Sequence, residues 1–377
     1  MFESKRQKSI VGLDIEAGSV AATEVRSNGR VEVVRHGVIG LKPGAFREGE
    51  VTDPELLGES LKELVHENKL SRDVRVGIAN QRVAVRVLRL PDLDGGELEA
   101  AIRFQAQDHI PMPLDQAVLD WQVVERGQGE GGQQLVSVVA VAARRDMIGN
   151  LMAALSHAGL RPVGIDHSAF GMIRALARSE RAAVGAAEYV AAPPSGELPV
   201  GAQGSPAAPD AIAAGARLYC NLGDVTNLAV AHAGACLFTR ISPFGIEAIA
   251  QRLAERQELT LDHARRWLVH VGLDADLAAI DGEAELIAAA RETLIEGAAK
   301  LADELRMSID FYAAQEGAIP VDGIIACGPG TAIPGLVDHL QQGIGRPFEV
   351  ARPTPLGHLD EASAARLTLS FGLALEG

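Results

Sequence analysis

The stretch Ile10–Gly29, IVGLDIEAGSVAATEVRSNG, constrains the fold of this chain more than any other. An apolar run, Ile10–Leu13, ends on Asp14. Glu16, Ala17, Gly18 and Ser19 make a short loop, and Val20–Val25 reads as a returning strand that turns at Asn28–Gly29. Asn-Gly between strand-like runs is a strong hairpin signal, because both residues tolerate positive φ. A tight loop carrying Gly and Ser can aim backbone N–H groups at a phosphate, and a carboxylate at the strand end can face its metal.

The layout recurs at Leu218–Gly234. A strand ends at Asn221, a loop holds Gly223, Asp224 and Thr226, and Leu228–His232 returns to a turn at Gly234. Two such units predict two related halves facing each other. A third glycine cluster, GPGTAIPG (Gly328–Gly335), follows an apolar strand, Gly323–Cys327, and precedes a helix. A chain of 377 residues exceeds one simple core, and 47% apolar content supports more than one. Repeated sheet-plus-helix units imply an α/β protein with a cleft between two lobes.

Between the strand-loop units the spacing predicts further elements. Pro54–Leu70 is a helix with Leu56, Leu57, Leu61, Leu64 and Val65 on one face, capped by Thr52 or Asp53. Val74–Ala79 is a buried strand. Val83–Leu90 alternates Val83, Val85 and Val87 with polar partners, so it reads as half-exposed and stops at Pro91. A helix at Gly96–His109 leads through Ile110–Leu114 to strands near Ala117–Val124 and Leu135–Ala143, with a flexible tip at Gly127–Gly132. Asp146–His157 is a helix burying Met147, Ile148, Leu151, Met152 and Leu155, with Gly159 as its left-handed cap. Long helical runs follow at Glu283–Gln315 and Ala362–Ala374.

The three glycine loops, in this order, resemble the phosphate-1, phosphate-2 and adenosine loops of the actin-like ATPase fold shared by actin, the heat-shock chaperones and FtsA. The run IRFQAQDHIPMPLDQAVLDWQVV (Ile102–Val124) narrows the resemblance to the PilM family of type IV pilus assembly proteins, relatives of FtsA with a relocated subdomain. The similarity extends over nearly the whole chain. It implies an actin-like two-lobed fold with that extra subdomain and duplicated sheet-plus-helix halves. The first-lobe core is then 8–91, the insertion 92–160, and 161–181 a return to the first lobe. A second-lobe core at 216–245 and 317–350 flanks an outer subdomain at 246–316, and 351–377 closes the first lobe. Residues 182–215, rich in Ala, Pro, Gly and Ser, have too few large apolar groups to offset their ordering entropy and read as a disordered loop.

The resemblance also implies a site for ATP and Mg²⁺. Gly18, Ser19 and Val20 would line the first phosphate loop, and Gly223, Asp224 and Thr226, after Asn221, the second. Gly328, Gly330 and Thr331 would lie against adenosine, and Asp14 would face magnesium, usually through water. Several positions depart from the family pattern. Glu16 stands where a glycine is common and Ala21 where a lysine is common. Asn221 replaces an aspartate, Pro329 interrupts a glycine pair, and Met307 stands where relatives often carry arginine. Each change weakens a charge or hydrogen bond that phosphoryl transfer uses. The expectation is weak ATP binding with little or no hydrolysis, and no catalytic residue is assigned.

The family's partner is the N-terminal cytoplasmic peptide of PilN, which links the inner-membrane platform of the pilus to its motor ATPases. The resemblance places that peptide near Phe104, Ile110, Pro111, Met112 and Pro113, with Val85 and Val87 of the adjacent strand. An edge strand beside apolar side chains suits an extended peptide. The competing readings are an active actin-like ATPase or sugar kinase, which needs an acid in each phosphate loop, and an FtsA-like filament on membranes. The second needs a basic amphipathic tail, which LTLSFGLALEG lacks.

Other function classes find little support. A net charge of −15 argues against nucleic-acid binding. There is no Gly-Lys-Ser/Thr for a P-loop, and GPGTAIPG misses the dinucleotide fingerprint. Cys220, Cys236 and Cys327 are isolated in apolar runs, so they read as buried thiols rather than zinc ligands. His109, His157, His167 and His358 lack metal-ligand spacing, and Asp166 beside His167 reads as capping or structural. MFESKRQKS has no apolar core of a signal peptide, and no run of about 18 apolar residues occurs. The chain is expected to be cytoplasmic and to meet the inner face of the membrane only through a partner.

Overall fold

The computed structural model describes residues 9–27, 29–128, 132–177 and 215–375. Asn28 of the expected hairpin turn, the middle of the Gly127–Gly132 tip and residues 182–214 of the Ala/Pro/Gly/Ser-rich segment lie outside the described residues.

Two five-stranded sheets repeat one plan. In the first, β1 (Ser9–Ile15) pairs antiparallel with β2 (Ser19–Ser27), and β2 with β3 (Val31–Gly40). On its other side β1 runs parallel to β6 (Asp73–Ile78), which runs parallel to β10 (Arg161–His167). A small β4–β5 hairpin, Phe46–Arg47 with Glu50–Val51, precedes helix α1 (Pro54–Glu67). In the second sheet β11 (Ala216–Leu222), β12 (Thr226–His232) and β13 (Ala235–Ser242) form the antiparallel run. There β14 (Val321–Cys327) and β15 (Phe348–Val350) are the parallel strands. The strand orders β3-β2-β1-β6-β10 and β13-β12-β11-β14-β15 correspond position by position. Asp14 and Asn221 therefore stand at matching places, each one residue before its strand's end.

Helices cover these sheets through faces written in the sequence. The α1 leucines Leu57, Leu61 and Leu64 are fully buried against Val11, Leu13, Val74 and Val76, each contributing about 1.5–3 kcal/mol. Asp53 caps α1 by accepting from the N–H groups of Glu55 and Leu56. In the second lobe, α5 (Ile246–Arg256), α6 (Leu261–Val271) and α7 (Ala284–Ala313) pack Leu253, Leu268, Leu294, Leu301 and Leu305 on Leu218, Leu222 and Leu228. The helix α8 (Leu336–Ile344) follows the third glycine loop.

A third core lies along the seam between the lobes. It joins Ala21 and Val25 of β2 to Tyr219, Ala229, Ile325 and Cys327 of the second sheet, through α4 (Ser168–Leu176) and the last helix α9 (Glu361–Ala374). Close backbone contact makes this packing possible. A side chain on Gly12 would strike the Ser370 carbonyl, and one on Gly372 would strike the Gly171 carbonyl. The Thr23 and Ser370 hydroxyls bond at 2.7 Å in the same buried seam.

The inserted subdomain is a three-stranded sheet, ordered β7 (Val83–Pro91), β9 (Gln134–Arg144), β8 (Ala117–Gln128). It begins at Val83, ahead of the boundary drawn at residue 92, because β7 pairs with β9 rather than with the first sheet. It ends at Arg144, since the helix α3 (Arg145–His157) buries Met147, Leu151 and Leu155 in the first-lobe core. Met152 of α3, expected inside, is 40% exposed. The helix α2 (Gly95–His109) lays Leu98 and Ile102 on Leu88, Leu90, Val136 and Val138. The buried face of β7 is thus Ala84, Leu88 and Leu90, and the alternating valines project from the opposite face.

Candidate functional site

The ends of the central strands bring Asp14, Glu16, Asn221, Asp224 and Gly328 into one polar seam between the lobes. On the first-lobe side, Arg366 of α9 binds Asp14 Oδ2 through Nη1 at 2.5 Å. Its Nε donates to Ser19 Oγ at 3.0 Å, and its Nη2 donates to the carbonyls of Asp14 at 3.2 Å and Ser19 at 3.0 Å. Glu16 Oε2 lies 3.5 Å from the same Nε. On the second-lobe side, Asp224 Oδ2 accepts the Ala17 N–H at 2.8 Å, across the cleft, and Oδ1 accepts the Val225 N–H at 2.7 Å. A side chain at Gly223 would meet the Glu16 carboxylate and Asn221 Nδ2, and one at Gly328 (φ +88°) would meet Asn221 Oδ1. Gly18 lies under the guanidinium of Arg265, which is paired to Glu247 at 2.5 Å.

The charges do not balance if every group is ionised. Three carboxylates, Asp14, Glu16 and Asp224, surround one buried guanidinium. Burial pushes the Glu16 carboxyl up to about 8, opposed by Arg366 and reinforced by Asp224, Asp14 and Glu247. Burial also raises Asp224 to about 6 against the two backbone N–H bonds it accepts. The surrounding carboxylates more than offset the burial of Arg366, so it stays charged. One guanidinium thus serves both first-lobe acids, and burial favours the protonated forms of Glu16 and Asp224.

These residues do not fit a magnesium-bound nucleotide in this arrangement. The first-loop N–H groups of Glu16 and Ser19 are given to each other's carbonyls, at 2.9 and 3.3 Å, and that of Ala17 to Asp224. The Thr226 hydroxyl donates to the Phe244 carbonyl and that of Thr331 to the Gly328 carbonyl, each within its own lobe. Gly330 abuts Leu222, and Val20 is fully buried. Among the described residues, no group of three or more His, Cys, Asp or Glu is placed to hold a metal. Sequence reading found Asp14, Asn221 and the loops but missed Arg366, Arg265 and Glu247. A lone arginine within ASAARLTLSFGLALEG was the available signal for the first.

Asp166 pairs with Arg174 of α4, and the buried His167 caps that helix by accepting from the Ala169 N–H at 3.2 Å. Burial lowers the His167 imidazole to about 4. Cys220 and Cys327 are buried, and all three thiols are free.

The residues expected at the partner groove divide between two sides of the inserted sheet. Val85 and Val87 line a groove of about 550 Å³ with Leu237, Phe238 and Phe311 of the second lobe. Its walls are β7 and β13, each an edge strand of its sheet. Val87 and Phe311 are 44% and 59% exposed. Phe104, on the outer side of α2, is 69% exposed. Ile110, by contrast, is buried among Ala84, Ala106, Ala117 and Ala142, with Met112 packed against that cluster. This corrects its expected place on the surface: after α2 ends, Ile110 seals the end of the sheet. Pro111 and Pro113 are exposed.

Residues 12–191 match a family model described as type IV pilus assembly protein PilM. The chain resembles the PilM family. A solved PilM–PilN type IV pilus biogenesis complex contains a chain 23% identical to this one, with 98% of each chain covered and a TM-score of 0.75. The ethanolamine utilization protein EutJ from Carboxydothermus hydrogenoformans is 13% identical over 98% of this chain and 90% of its own, at a TM-score of 0.51. These likenesses concern architecture: the fold is actin-like, two-lobed and duplicated, as the PilM-like sequence pattern implied. No described helix is long and apolar enough to cross a membrane.

Proposed function

We propose that this protein is a PilM-like scaffold of a type IV pilus assembly platform. It binds the N-terminal cytoplasmic peptide of a PilN-type bitopic membrane protein, is held at the inner face of the membrane through that partner, and links the platform to motor ATPases. The observation that carries this reading is the PilM family match over residues 12–191, which includes the whole of the inserted subdomain's distinguishing run. The groove between the edge strands β7 and β13 suits an extended peptide, since each wall offers backbone groups and Val85, Val87, Phe238 and Phe311 offer apolar contacts. The cleft between the lobes binds Mg²⁺ and ATP weakly or not at all and turns over negligibly. Glu16, Ala21 and Asn221 support this: Glu16 adds negative charge beside the phosphate loops, Ala21 leaves out a cation, and Asn221 leaves out a carboxylate that could face a metal.

Titration calorimetry with a synthetic peptide of the PilN N-terminus encoded in the same genome tests the partner. Binding lost in Val87→Asp and kept in Phe104→Asp supports the β7–β13 groove. Loss in Phe104→Asp alone moves the peptide to the outer side of α2. Absence of binding by the unmodified chain removes the scaffold reading.

A further inference from the structure

We infer that Arg366 is a built-in cation for the cleft, so that the lobes close on each other with neither divalent metal nor nucleotide. The inference rests on the reading of the cleft given above, and it concerns what replaces the ligand. The resemblance implies that Asp14 at the end of β1 would face magnesium and that the first two loops would line the phosphates. Here Asp14 is neutralised by the Arg366 guanidinium at 2.5 Å. The bridge between loops is the Asp224 carboxylate on the Ala17 N–H at 2.8 Å. Arg366 holds Asp14 and Glu16 directly and, by donating to the Asp14 and Ser19 carbonyls, fixes the first loop whose Ala17 N–H the Asp224 carboxylate of the second lobe accepts.

The position of Arg366 is rigidly determined. Its helix packs backbone to backbone on β1 at Gly12 and on α4 at Gly372, so the guanidinium is delivered to the loop by contacts that leave no slack. Its side chain is 10% exposed, and its four hydrogen bonds fix Nε, Nη1 and Nη2. A mobile Mg²⁺ makes closure depend on ligand; a guanidinium tethered to α9 makes closure intrinsic. A platform component gains from this a lobe geometry that does not vary with the nucleotide pool.

The test uses the full chain and hydrogen exchange read by mass spectrometry over residues 14–19, which contain the Ala17 amide. Arg366→Met should accelerate exchange there by about tenfold or more, as expected for losing hydrogen bonds to a charged group. Arg366→Lys, which keeps the charge, should fall between this variant and the wild type. Mg·ATP added to the wild type should leave exchange unchanged. Should Arg366→Met not fold, Asp224→Ala removes the acceptor across the cleft while leaving Arg366 on Asp14, and it should accelerate the same segment. Unchanged exchange in the folded variant, or added protection of residues 14–19 by Mg·ATP in the wild type, overturns the inference. Peptide binding is measured separately, so loss of the latch and loss of the scaffold reading remain distinct results.

Discussion

Glu16→Gln is the most informative single change in the cleft, because glutamine mimics the protonated form of the side chain it replaces. Glu16 is raised from 4.5 to about 8 in the folded protein, chiefly by burial. A folded-state value above the unfolded one gives stability that is fully present below the unfolded value and is lost as pH rises through the folded one. The wild type should therefore weaken as pH climbs, and the variant should not. Asp224 behaves in the same sense but is spent by about 6, so the interval from about 6 to about 8 isolates Glu16. Across those two units the difference is at most about 2.7 kcal/mol, or several degrees in Tm. The groups facing this carboxyl are Asp14 of β1, Asp224 of the second loop, Glu247 of α5 and Arg366 of α9. All are present in both proteins. Asp146, lowered to about 2 chiefly by its Arg144 hydrogen bond, lies far outside the interval. Scanning calorimetry at the two ends of the interval reads the effect. Parallel pH dependence in the two proteins would refute the picture of a proton-relieved acid cluster.

Gly372→Ala should cost about 2 kcal/mol or more, since its new methyl meets the Gly171 carbonyl and one helix has to move; a thermal melt followed by circular dichroism checks this. Asp53→Ala should cost about 1 kcal/mol by removing the α1 cap, measured as a lower denaturant midpoint with unchanged slope. Ile110→Asp should destabilise by about 3 kcal/mol or more, whereas Phe104→Asp should be near neutral, because only Ile110 is buried; denaturation of the two variants side by side tests the assignment.

The duplicated architecture was legible because it is local. Ile10–Gly29 and Leu218–Gly234 each encode strand, tight loop and returning strand within about twenty residues, where periodicity and Gly/Asn turn chemistry are strongest. The leucine face of α1 was legible for the same reason, and its cap was narrowed to Thr52 or Asp53, of which the structure uses Asp53. The boundary at Val83 was not, because a strand's sequence does not say which sheet it joins; β7 finds its partner in β9, beyond the intervening α2. The alternation of Val83, Val85 and Val87 was real, but it marked the open face. Ala84, Leu88 and Leu90 face α2, so the strand carries apolar residues on both faces and the pattern alone does not say which face is covered. In the cleft, Asp14 and Asn221 were readable from strand ends. Arg366 was not, since it lies 352 residues from its partner and only the packing of α9 on β1 joins them.

The Asn221 substitution acquires a physical reason once Arg366 is in place. Asn221 occupies in the second sheet the position that Asp14 occupies in the first, and its amide adjoins the Glu16 carboxyl beside Gly223. A second strand-end aspartate there would bring a fourth acid to a cluster whose one guanidinium already leaves protons on its neighbours. In a cleft closed by a divalent ion that charge would be an asset; in one closed by Arg366 it would be uncompensated and buried, which is strongly unfavourable. The amide offers Nδ2 toward the acid and Oδ1 toward the third loop without adding charge.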